Sequence, residues 1–332
     1  MNQQNIDFQN IIEKANSILI ITHKGPDTDA FCSSLILLQT LRQIYPTKNI
    51  QVQAKQTPAS NLPTMKDINI VEKIDNKEFD TLIVTDAGSI DLCIDENDEV
   101  ITEGKNIIIV DHHDTILNQE DNILFINNNA SSATEEIYTI LKDIYKEEFK
   151  VTEEIAHLVQ YGIVADTGRF LYDITTPNSL RICADMIEIS PIDIEEFVYK
   201  NEKFPKEATL AIQEFLKTLT IERDMAYMYI DREAIEQSRE LQKGASEGQA
   251  FIRDKFIRYI QGVHWGFIVK PDMNTENNWY ISFRSTKGYQ DVQVIAKELG
   301  GGGHMYAAGV TMKANSLEEV LNRILEVVRK HL

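Results

Sequence analysis

Cysteine is scarce in this 332-residue chain: Cys32, Cys93 and Cys183 are its three, far apart and without a CxxC pair. That excludes a disulfide scaffold and a cysteine-built metal knuckle. Isolated thiols in apolar or helical surroundings read as reduced and buried, which leads us to expect a cytoplasmic protein. Long apolar runs are missing too. No stretch approaches the roughly 18 consecutive apolar residues of a membrane-crossing helix, so no membrane partner is expected. The first seven residues have neither the basic region nor the apolar stretch of a secretory signal. Positive charge is also in deficit. Against 52 Asp and Glu stand 33 Lys and Arg, a net charge of −19, which argues against a general binder of long nucleic acid, where phosphates must be neutralised.

What is present describes an ordinary globular protein, with 43% hydrophobic and 26% charged residues and enough apolar side chains for a sizeable core. The length suggests two domains. Charge divides unevenly along the chain: residues 1–215 carry a net −20 and residues 216–332 a net +1. An acidic first domain that holds divalent cations, followed by a neutral one that grips an anion, would produce this split.

Three short apolar runs in the first half each end at an acidic point. Ser17–Thr22 leads into His23-Lys24-Gly25-Pro26-Asp27-Thr28-Asp29, Thr81–Thr85 ends at Asp86, and Asn106–Val110 ends at Asp111-His112-His113. β-branched runs separated by helical patterns predict an α/β fold with a parallel sheet, its functional groups at the carboxyl ends of the strands. Helices are expected over 29–45, 131–145 and 152–165, and a linker or interdomain helix within 190–205. An amphipathic helix there would suit a homodimer. Beyond it, strands over 226–230, 265–270, 279–283 and 309–312 and helices near 246–261 and 317–330 predict a smaller α+β domain. The division expected is 1–190, a helical linker 191–215, and 216–332.

The residues at those strand ends carry the chemistry. His23, Asp27, Asp29, Asp86, Asp111, His112 and His113 fall within about 90 residues, and Asp166 ends a further apolar helix. Carboxylates so close together repel unless cations are bound. Mixed carboxylate and imidazole donors suit Mn²⁺, Fe²⁺ or Zn²⁺, with the carboxylate excess favouring Mn²⁺. Asp29 alone would read as the cap of the next helix; at the strand ends of one domain the whole set reads as a metal site. In the second half, Gly300-Gly301-Gly302-Gly303-His304 offers backbone amides without side-chain cover, which suits a phosphate. Arg284, with Ser285 after it, is a candidate phosphate clamp.

The ordered set of His23-to-Asp29, Asp86, Asp111-His112-His113 and Asp166 resembles the four motifs of the DHH phosphoesterase superfamily. Arg284-Ser285 and Gly303-His304-Met305-Tyr306-Ala307-Ala308-Gly309 resemble the signature of the DHH-associated C-terminal domain. The short two-domain layout is similar to the nanoRNase and pAp phosphatase branch. The resemblance implies a parallel-sheet DHH domain and two-metal hydrolysis of phosphate esters in short RNA, linear dinucleotides such as pApA, or pAp. A cyclic dinucleotide phosphodiesterase and a RecJ-like single-strand exonuclease are the alternatives. It implies that His23 and Asp27 hold one Mn²⁺ and Asp29, His112 and Asp166 a second, with Asp86 between them; Mg²⁺ or Co²⁺ would also suit. His113 would face the scissile phosphate, supported by Asp111. Arg284, Ser285, Gly301, Gly302, Gly303 and His304 would hold the substrate.

Overall fold

A computed structural model describes residues 2–57, 65–113, 122–201 and 203–331. The chain forms two compact units, Met1–Glu202 and Lys203–Leu332. In the first, helix α1 (Gln3–Lys14) precedes β1 (Ser17–Thr22), α2 (Thr28–Ile44), β2 (Asn49–Ala54), β3 (Ile68–Ile70), β4 (Thr81–Thr85), β5 (Asn106–Val110) and β6 (Ile123–Ile126). Helices α3 (Ala133–Tyr145), α4 (Glu153–Asp166), α5 (Pro177–Ile189) and α6 (Ile194–Asn201) follow.

The strands make one sheet in the order β3-β2-β1-β4-β5-β6, and every neighbouring pair is parallel. Around β1, β4 and β5 both of its faces are buried. Ile18, Ile20, Ile83, Ile108 and Val110 pack under helices α1 to α5, while Leu19, Ile21, Leu82, Val84, Ile107 and Ile109 pack against Ile74, Phe79 and Cys93 on the other side. That double burial explains why the runs read as continuously apolar rather than alternating. On this second side the β4–β5 connection holds no α-helix, only the single 3₁₀ turn Ile90–Leu92. From β1 the chain builds outward to β2 and β3, then returns to add β4 beside β1. The β1–β4 boundary is therefore a topological switch point, where such sheets bind ligands.

The second unit runs α7 (Ala208–Lys217), β7 (Thr220–Glu222), β8 (Met225–Tyr229), α8 (Arg232–Glu236), α9 (Arg239–Lys255), β9 (Trp265–Pro271), β10 (Asn278–Ser285), α10 (Val292–Glu298), β11 (Gly302–His304), β12 (Ala307–Lys313) and α11 (Leu317–His331). Its mixed sheet has the order β11-β12-β10-β9-β8-β7, with β8 and β9 parallel. Trp265, Phe267, Phe283, Ile295 and Ile324 fill one side, and Phe215, Met228, Leu241, Ile252 and Ile268 the other.

The helix expected near 246–261 begins earlier. The Ser238 hydroxyl accepts from the Leu241 amide at 3.1 Å and starts α9 there. Gly244 and Gly248 stand inside the helix, not at its end, because a Cβ on either would collide with α7, at Gly248 only 2.6 Å from Ala211 Cβ. Within 191–215, α6 contributes Phe197 to the core of the first unit and α7 contributes Phe215 to that of the second. Among the described residues no helix is long and apolar enough to cross a membrane.

Candidate metal centre

Adjacent strands β1, β4 and β5 end level with one another, Thr22 beside Thr85 and Thr85 beside Val110. The residues that follow, His23, Asp86 and Asp111, therefore open onto one edge. Asp86 has a φ of 58°, left-handed backbone that Asp tolerates better than most residues. Its amide donates to Val110 O at 2.9 Å. Both features aim a buried carboxylate at the strand ends, with Oδ2 3.6 Å from His23 Nε2 and Oδ1 3.6 Å from His112 Nε2. One carboxylate thus faces two imidazoles with its two oxygens.

The loop after β1 divides its aspartates between two tasks. Asp27 Oδ1 accepts from the amides of Asp29 and Ala30 at 2.9 and 3.1 Å and caps α2. Asp29, the expected cap, instead reaches the start of α3, where it accepts from Ala133 N at 2.6 Å and Thr134 N at 3.0 Å. The N-terminal end of that helix dipole favours a carboxylate. The α3 terminus is itself braced: buried Glu135 accepts from Ser131 Oγ at 2.6 Å and from Asn178 Nδ2 of α5 at 2.7 Å. These bracing residues lay outside the candidate list, although the Ser132-x-x-Glu135 pattern is a helix-start signal. Gly162 lets α4 lie against α3, since a Cβ there would overlap the Thr134 side chain. That approach brings Asp166, the last residue of α4, to 3.0 Å from His112 Nε2 through its Oδ2.

Three donor groups result: His23, Asp27 and Asp86; Asp29, His112 and Asp166; and Asp86, His112 and His113. Within each, one ligand atom per residue lies within 4.8 Å of the others. The electrostatics are those of a crowded acidic site. Burial, then Asp166, pushes the Asp29 carboxyl up to about 7, and burial with Asp29 and Asp27 holds Asp86 well above the carboxylate range. Burial opposes charge on His112, but Asp166, Asp29 and Asp86 outweigh it and raise the ring to about 9. Asp86 Oδ1, His112 Nε2 and Asp166 Oδ2 are buried without an aligned hydrogen-bond partner. Buried polar atoms are otherwise almost always well paired, so three donor atoms converging without an aligned hydrogen bond, two of them only 3.0 Å apart, fit a cation. His113 stands at the rim. Its exposed ring is held by Asp111, Nδ1 to Oδ1 at 2.8 Å, and this bond raises its pKa.

The second unit brings Arg284 and His304 into one cross-strand row. Arg284 of β10 pairs with Ala307 of β12, which pairs with His304 of β11; residues in such a row share a sheet face. Arg284 Nε donates to Asp254 of α9 at 3.0 Å. Ser285 is buried, its hydroxyl donating to Thr286 O at 3.2 Å. The glycine run forms a strand of a hairpin: Gly302 pairs with Gly309 and Gly303 with Ala308. Gly301 and Gly303 are required by close packing, since a Cβ on either would strike β12. Gly302 meets nothing, and His304 is exposed.

Residues 17–163 match the DHH family, N-terminal domain, and residues 240–330 match the DHHA1 domain. The chain thus carries a DHH family N-terminal domain with a DHHA1 domain behind it, and it is a hydrolase acting on phosphate ester bonds. It is 26% identical over 323 residues to the bifunctional oligoribonuclease and PAP phosphatase NrnA of Bacillus subtilis, covering 95% of this chain and 96% of that protein. Among solved structures it is similar to an exopolyphosphatase-related protein from Bacteroides fragilis, with a TM-score of 0.78 at 21% identity over 98% of this chain and 96% of the other. RecJ from Thermus thermophilus, in complex with Mn²⁺, has a TM-score of 0.54 at 12% identity, over 98% of this chain but 54% of RecJ. These likenesses to solved structures speak for the fold.

Proposed function

We propose that this phosphoesterase hydrolyses very short oligonucleotides, linear dinucleotides and pAp to mononucleotides, and that it does so with two divalent cations, Mn²⁺ first among them. The observation that carries this is Asp86, whose two oxygens face two separate donor groups. His23 and Asp27 would hold one cation and Asp29, His112 and Asp166 the other, with Asp86 shared. Two such cations supply a nucleophile at neutral pH and neutralise charge on the phosphoryl oxygens.

The residues of the chain do the rest. The α3 amides orient Asp29, and the α2 amides hold one oxygen of Asp27 so that the other is left for the site. Asp111 fixes the His113 ring and favours its protonated form, leaving an N–H at the rim to donate to a phosphoryl oxygen. Arg284 and His304, with the Gly302 amide, form the candidate grip for a second phosphate. Ser285, Gly301 and Gly303 would serve by shaping the hairpin that carries it.

The substrate class rests on the relative from B. subtilis, whose name covers both an oligoribonuclease and a PAP phosphatase and which aligns along nearly the whole chain. The net charge of −19 favours short substrates over long strands. A cytoplasmic enzyme is expected, in a compartment where Cys32, Cys93 and Cys183 stay free. The test is a product time course with metal-stripped protein and Mn²⁺ on pApA, a five-nucleotide RNA, a 24-nucleotide strand, cyclic di-AMP, pAp and pyrophosphate. Rapid mononucleotide release from the short substrates, with little from the long strand, is expected. Faster turnover of pyrophosphate or of the long strand would overturn the proposal.

A further inference from the structure

Helix α4 ends on Asp166, and the backbone beyond it is unusual. Gly168, Arg169 and Phe170 have φ of 56°, 63° and 65°, three consecutive left-handed residues, of which only one is glycine. Such strain persists only where the surroundings hold it and gathers at functional sites. Here the turn is pinned from within. Arg169 N donates to Val164 O at 2.8 Å and Tyr172 N to Thr167 O at 3.0 Å. Phe170 N donates to Thr167 Oγ1 at 3.0 Å, and that hydroxyl donates to Ile163 O at 2.6 Å.

Phe170 turns inward and packs on the core of the first unit. The next two side chains turn outward, with Leu171 71% and Tyr172 57% exposed. The Tyr172 ring lies across Gly168: a Cβ added there would be 2.5–2.8 Å from its ring atoms. An inward anchor, a pinned left-handed turn and an exposed aromatic four residues from that glycine place a flat apolar face on the turn that follows Asp166, a metal-ligand candidate. An aromatic ring so presented fits the π-face of a base, and stacking of this kind tolerates any base.

Resting on the function proposed above, we infer that Tyr172, with Leu171 beside it, is the stacking surface for the nucleobase attached to the phosphate at the metal centre. It is a binding residue that sets preference for nucleotides over simple phosphate esters, since a substrate without a base places nothing there.

The test compares kcat/KM for a dinucleotide with that for the same phosphodiester lacking both bases, in Mn²⁺. Tyr172→Ala should lose roughly ten-fold or more on the dinucleotide, mainly through KM, so that the preference for the base-bearing substrate collapses. Tyr172→Phe should restore it, and Tyr199→Ala, an exposed aromatic on α6, should leave the preference unchanged. An equal fall on both substrates would mean that Tyr172 only supports the Asp166 turn, and an unchanged preference would mean that no base stacks there; either overturns the inference. Cleavage of neither substrate by the wild type would instead remove the proposed function itself.

Discussion

Asp86 Oδ1 and His112 Nε2 lie 3.6 Å apart, and His112 Nε2 is also 3.0 Å from Asp166 Oδ2. Two buried donor atoms facing one another across that distance are placed for a cation between them, not for each other. Asp86→Asn keeps the shape and removes the charge. It should lower kcat/KM at least about 100-fold, beyond what loss of an outer-shell partner costs. The metal-free variant should melt higher than the metal-free wild type at pH 8, because a buried, disfavoured carboxylate is gone. Retained activity at saturating Mn²⁺ would remove Asp86 from the centre.

The pH dependence has a definite sign. In the metal-free protein Asp29 titrates at about 7 and His112 at about 9, both above their ordinary values. The folded state therefore holds more protons than the unfolded chain between roughly pH 4 and 9, and its stability declines as pH rises through that window. With EDTA present the melting temperature should fall between pH 6 and 9. Saturating Mn²⁺ should remove the fall, because cations take the place of the protons, and Mn²⁺ affinity should weaken as pH drops below about 7. Melting curves that rise with pH in EDTA would contradict this.

Gly162 of α4 lies directly against Thr134 of α3. Gly162→Ala would drive a methyl group into the Thr134 side chain and should destabilise the protein by about 1–3 kcal/mol. Because Thr134 N holds Asp29, activity should fall along with the melting temperature. An unchanged melting temperature would show that the helices can part freely.

Arg284 should act through binding. Arg284→Ala removes a charged, forked donor and is expected to raise KM for pApA roughly ten-fold or more, with kcat much less affected. Arg284→Lys should recover only part of this, since a point charge cannot reproduce the fork. An unchanged KM would confine Arg284 to its pairing with Asp254.

Much of the centre was legible in the sequence because the parallel sheet reports itself. β1, β4 and β5 are buried on both faces, so each reads as an unbroken apolar run, and the polar residue that ends the run marks the functional edge. β2 was harder to read: its alternating burial gives Asn49-Ile50-Gln51-Val52-Gln53-Ala54 a mixed composition. The brace of Asp29 at α3 joins residues more than 100 positions apart, a distance over which spacing says nothing. The packing roles of the glycines were not legible in the sequence, for a physical reason. At 244 and 248 they mark helix–helix contact, and at 301 and 303 they permit a tight hairpin, neither of which spacing along the chain reveals. The left-handed turn at 168–170 gave no signal beyond Gly168, because Arg169 and Phe170 are residues that rarely adopt it.

The most direct test of the account is a crystal of the protein grown with Mn²⁺ and examined by anomalous diffraction. The account predicts two anomalous peaks: one against His23 and Asp27, the other against Asp29, His112 and Asp166, with Asp86 touching both. A single peak, or two peaks without Asp86 between them, would contradict it.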